Sequence, residues 1–211
     1  MDQGAPAPLA YVQIAVDTQT TPVSSVSAKL LKAVSAGDLL VVAIGWDDTA
    51  GVADSVTDTS GNTYKLAIGP TRLGQDLTQS IYYAPGVAAA AAGANSVTVT
   101  FATTATAPDL RVLEYSGADP AAPLDQTANG EGTGTVAATG SVTTTSAREL
   151  VFAAGMTADM FASPGSGFTL RVVTTQGDAV EDRFLTATGS VNATATVNAS
   201  AEWILQLATF H

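Results

Sequence analysis

The chain has no cysteine, which excludes disulfide staples, thiolate metal sites and cysteine nucleophiles. Its one histidine, His211, is the last residue, where chains fray, so neither a Ser-His-Asp triad nor a histidine metal site is expected. Basic residues are scarce: 8 Lys and Arg against 19 Asp and Glu give a formal charge of -11. Nucleic acid and anionic membranes demand clustered Lys and Arg, so neither is an expected partner. No stretch approaches the roughly 18 unbroken apolar residues of a membrane-spanning helix, so no membrane insertion is expected. Met1 to Pro8 contains no basic region leading into an apolar run, and no signal peptide is expected within the sequence. Aromatic residues make up only 6%, which leaves Val, Leu, Ile and Ala to fill the core.

What is present favours strands. Hydrophobic residues reach 46% and lie among many Thr and Ser, a composition suited to pleated surfaces. Val97, Val99 and Phe101 alternate with Thr98 and Thr100, while Leu39 to Ile44 and Ile204 to Leu207 are continuous apolar runs suited to central strands. Gly86 to Ala92 is the one segment with helix-forming composition, and it is too short to be stable alone.

The pattern occurs twice. Asp38 to Gly45 matches Arg148 to Gly155, Gly61 to Leu66 matches Gly165 to Leu170, and Arg111 to Tyr115 matches Trp203 to Leu207. The expected fold is therefore all-β: one antiparallel, jelly-roll-like β-sandwich built from copy one (11–117) and copy two (124–211). Two tandem immunoglobulin-like domains are the alternative. The single sandwich is preferred because the second copy alone would have a thin core without staples. Ser116 to Pro123, with the glycine-rich Asn129 to Gly134 after it, reads as the linker. Trp46 to Asp58 and Gly69 to Thr78 read as the long loops of the first copy, and loops carry function.

Candidate ligand-binding residues are Trp46, Asp47, Asp48, Arg72, Asp76 and Tyr82. An exposed Trp46 beside two carboxylates could stack on a sugar ring and accept its hydroxyl hydrogens; alternatively, Trp46 closes the end of the core. Tyr82 and Tyr83 point to opposite faces of a strand, so one is a candidate platform that Arg72 and Asp76 could line. No cofactor is expected. Calcium at Asp54 to Tyr64 would require Asp47 and Asp48 to fold back, and Asp58-Thr59-Ser60-Gly61-Asn62 reads more simply as a turn. Glu114 and the Glu181–Asp182 pair are the strand-borne carboxylates from which a glycosidase pair could be drawn, although a solvated face with Arg183 is the plainer reading.

Ala36-Gly37-Asp38-Leu39-Leu40-Val41-Val42, Ser80-Ile81-Tyr82-Tyr83, Leu113-Glu114-Tyr115-Ser116-Gly117, Gly165-Ser166-Gly167-Phe168-Thr169 and Thr186-Ala187-Thr188-Gly189-Ser190 give the chain its only family likeness. In them it resembles uncharacterised β-sandwich modules of large secreted bacterial and phage-associated proteins. That resemblance implies a secreted or extracellular setting and a non-catalytic adhesive or glycan-binding role. The expected partner is thus a polysaccharide or cell-surface glycan. Self-association into a filament or matrix, with Asp2 to Val16 added to a neighbour's sheet edge, is the second reading, and a polysaccharide-active enzyme the third.

Overall fold

A computed structural model describes residues 8–211. Every regular element is a strand, and all pairings are antiparallel. The first copy supplies β1 (Ala10–Thr18), β2 (Val23–Lys29), β3 (Leu39–Trp46), β4 (Ala53–Asp58), β5 (Lys65–Leu73), β6 (Leu77–Ala84), β7 (Ser96–Ala105) and β8 (Asp109–Ser116). The second supplies β9 (Leu124–Ala138), β10 (Val142–Thr143), β11 (Glu149–Thr157), β12 (Phe161–Ser163), β13 (Thr169–Val173), β14 (Ala179–Leu185), β15 (Ser190–Val191) and β16 (Thr194–Phe210).

The strand orders explain the duplication. In copy one, β1-β8-β3-β6-β5 faces β2-β7-β4, which is jelly-roll order with the fifth strand moved beside the sixth. Copy two repeats it with fused strands. Leu124 to Gly134 of β9 pairs with the end of β16, and Val136 to Ala138 with its beginning, so each long strand serves both layers. β11, β14 and β13 then stand where β3, β6 and β5 stand, and β12 takes the place of β4. Each copy thus completes its own pair of sheets, where a single sandwich shared by the copies was expected.

The two sandwiches are stacked, which is why β3, β8 and β11 are buried on both faces. Leu40, Val42 and Ile44 pack inward on Val97, Val99 and Phe101. Leu39, Val41 and Ala43 form a middle core with Leu150, Phe152 and Phe210 of copy two. Val151, Ala153 and Leu207 pack on Ala195 and Val197 in a third core.

These faces correct the sequence alignment. Val41 and Phe152 share the middle core, while Val42 and Ala153 face the inner cores. Leu39–Trp46 is therefore equivalent to Leu150–Thr157, one residue beyond the match made by sequence, and a one-residue slip turns every side chain over. By the strand registers, Arg111 to Tyr115 is likewise equivalent to Gln206 to Phe210, not to Trp203 to Leu207.

Three connections expected to be loops are strands. The second half of Trp46 to Asp58 is β4, Gly69 to Leu73 continues β5, and the supposed linker Asn129 to Gly134 is the middle of β9. Two of its glycines, Gly130 and Gly132, mark close approach, not freedom: a Cβ on Gly130 would lie 1.9 Å from the Ala138 carbonyl oxygen and one on Gly132 3.0 Å from the Trp203 ring. Gly130→Ala is thus expected to destabilise the protein by about 1–3 kcal/mol in urea unfolding. An unchanged midpoint would contradict this path for β9.

Candidate functional site

The end of the stack where β3 and β11 finish collects the polar side chains. β3 enters a turn at Asp47, and Asp48 holds that turn shut: its Oδ1 accepts the N–H groups of Ala50 at 3.0 Å and Gly51 at 2.6 Å, and its Oδ2 that of Thr106 at 2.6 Å. Asp48 is a structural acceptor with little capacity left for a ligand. Trp46 is 1% exposed and meets Phe101 edge-on at 5.4 Å between ring centroids. It closes the core and offers no open face for a sugar, so stacking on Trp46 is not available.

The remaining candidates divide between two depressions. Asp47 and Asp76 line a cleft of about 410 Å³ together with Leu77, Thr157, Asp159 and Gln176. The cleft exists only because the sandwiches are stacked, since its two walls come from different copies. Asp47 and Asp76 accept no hydrogen bond from the described residues. Lost hydration pushes the Asp47 carboxyl up to about 6, with repulsion from Asp109, Asp48 and Asp76 adding to it. Arg72 and Tyr82 meet the edge of Trp46 in a smaller niche on the other side of the turn.

Asp178 also borders the cleft and ties it to a buried polar cluster in the seam. Arg111, fully buried, donates from Nη1 to the carbonyls of Gly155 at 2.8 Å and Ala179 at 3.1 Å, and from Nη2 to Gln79 Oε1 at 3.2 Å. Asp109 Oδ1 lies 3.2 Å from its Nε and Asp178 Oδ2 3.5 Å from its Nη2. One cation faces two buried acids. Burial pushes the Asp178 carboxyl well above its ordinary value, with the Arg111 guanidinium opposing the shift.

Contacts across the seam are reciprocal. By the registers, Gln79 is equivalent to Asp178, Arg111 to Gln206, Tyr83 to Asp182 and Tyr115 to Phe210. Gln79 donates to Gln206 at 3.3 Å while Arg111 pairs with Asp178; Tyr115 donates to Asp182 at 2.8 Å while Phe210 packs on Tyr83 at 5.5 Å. The two copies meet as the halves of an isologous dimer do, joined in one chain.

Other carboxylates singled out in the sequence serve the fold. Asp58 accepts from Ser60, Asn62, Tyr64 and Asn95, as a turn anchor should, and β4 carries it to the end of the sandwich opposite Asp47 and Asp48. Among the described residues, no three acidic or histidine side chains are grouped so as to hold a metal ion. Glu114, Glu181 and Asp182 are buried instead of lying on a solvated face. Glu114 accepts from Gln13 and Ser35, and Glu181 from Gly165. Asp182 is held by Arg171 through two 2.8 Å bonds, and not by Arg183. β1 is already paired with β8 of its own chain, which removes Ala10 to Val16 as a donated strand; Asp2 to Ala7 lies outside the described residues.

Thr157, Asp159, Gln176 and Asp178 were not foreseen. No spacing in the chain announces them, because only the stacking of copies brings them beside Asp47. No protein-family model, curated protein or solved structure matches this chain.

Proposed function

We propose that the protein is a non-catalytic, extracellular binding module for a polysaccharide or cell-surface glycan held in the cleft between the copies. The observation that carries this reading is the pair Asp47 and Asp76, two acceptors without protein partners in a cleft whose volume lies in the usual range for small-ligand sites. Carboxylates accept hydrogen bonds from sugar hydroxyls and are strong acceptors once partly dehydrated. Gln176 and Thr157 add groups that both donate and accept. The ring of carboxylates repels anionic polymers, so neutral glycans are favoured.

A pull-down on neutral insoluble polysaccharides, combined with a glycan array, tests the reading. Asp47→Ala with Asp76→Ala should weaken retention by about 10- to 100-fold, the effect of losing one or two charge-assisted hydrogen bonds. Retention equal to wild type on every bound glycan would reject the cleft as the site.

A further inference from the structure

The niche beside the cleft has the opposite character. Trp46, Val52, Pro70, Arg72, Ser80 and Tyr82 enclose about 70 Å³. Its polar groups donate. Trp46 Nε1 is buried and has no hydrogen-bond partner, although an indole N–H in a core ordinarily finds one; the buried Ser80 Oγ has only the Tyr82 hydroxyl beside it. Gly51 lies close against the indole nitrogen, where any side chain would crowd it: a Cβ there would be 2.8 Å from Nε1. Arg72 is exposed and, among the described residues, has neither an ion pair nor a hydrogen bond. Burial raises the pKa of the Tyr82 phenol, with the nearby Ser80 hydroxyl opposing it, so the phenol stays protonated and available as a donor.

We propose that this niche is a binding site for a single carboxylate group, taken up by the Arg72 guanidinium at the mouth and by the Trp46 N–H and Ser80 hydroxyl inside. An unpaired guanidinium is matched to two carboxylate oxygens, and the indole N–H cannot accept, which selects an acceptor ligand. The volume suits a carboxylate and excludes a whole sugar ring, so the group must project from whatever carries it. Asp48, in the adjoining turn, spends its charge on backbone N–H groups, which limits its repulsion of such a guest.

Titration of the full chain with sodium acetate, followed by the two indole N–H resonances in ¹⁵N-correlated spectra, tests the proposal. Sodium chloride at equal ionic strength is the control, and Trp46→Phe assigns the peaks. Acetate should move the Trp46 signal saturably in the millimolar range and leave that of Trp203 in place. Arg72→Gln should weaken this by about 10-fold or more, and Ser80→Ala by about 3- to 10-fold. Glucuronate tighter than acetate would identify an acidic sugar as the source; acetate as tight as glucuronate would identify a free carboxylate. Glucose moving the Trp46 signal as strongly as glucuronate, no saturable shift, or full binding by Arg72→Gln would each overturn the proposal. These outcomes are independent of retention on neutral polysaccharide, so the site and the glycan reading can fail separately.

Discussion

Arg111→Met should lower stability by about 3–5 kcal/mol, the usual effect of removing one member of a buried ion pair. The substitution deletes the one cation that, among the described residues, pairs with Asp109 and Asp178, and frees the carbonyls of Gly155 and Ala179 in the seam. For a chain of this length that is a fall of about 6–20 °C in unfolding temperature, readable by calorimetry. The acids, not the missing packing, should cause most of it. Adding Asp109→Asn and Asp178→Asn to Arg111→Met should therefore recover at least half of the loss, because a neutral cluster no longer carries an uncompensated charge. A single variant within about 1 kcal/mol of wild type would mean that water reaches Arg111 and that the seam is looser than described.

At pH 9 the protein should unfold about 6–12 °C below its unfolding temperature at pH 5.5. Asp38 is pushed up to about 7 by burial, with a shared hydrogen bond and repulsion from Glu114. Glu149, at the equivalent position of copy two, is pushed up to about 8 by burial and by Asp125, and Glu181 to about 7 mainly by burial. Each has a folded pKa above its unfolded value near 4. Their stabilising contribution is therefore complete below about pH 4 and is lost as pH rises through 7 and 8. The carboxylates held low, such as Asp48 and Asp58, act in the opposite sense but are ionised in both states above pH 5.5, so they leave this window unchanged. Asp38→Asn with Glu149→Gln keeps the shape without the titration and should flatten the profile by about half. A wild-type profile already flat from pH 5.5 to 9 would show that these acids are hydrated.

Much of the fold was legible in the sequence. Alternation at Val97, Val99 and Phe101 and the unbroken runs at Leu39 to Ile44 and Ile204 to Leu207 identify strands of an outer sheet and strands between two cores, because burial on one face or two leaves different patterns. β4 was hidden because Asp54-Ser55-Val56-Thr57-Asp58 has a single strong apolar residue, on a strand only partly buried. β9 was hidden because its glycines, among them Gly130 against the Ala138 backbone and Gly132 against the Trp203 ring, have the composition of a linker. Of the candidate site, Asp47, Asp76, Arg72 and Tyr82 were found from their neighbourhood in the chain. Trp46 belongs with them for its N–H edge and not for its face, a distinction that depends on what packs against the ring.

The chain by itself determined that this is an all-β, cysteine-free, acidic protein with one strand pattern used twice, since composition and periodicity are local properties. Only the tertiary structure decided the register of the second copy on the first, the stacking of two sandwiches and the cleft their ends enclose. The physical reason lies in the central strands. A strand buried on both faces has no polar alternation to mark which side is which, so Val41 and Val42 look alike in sequence and face different cores in the fold.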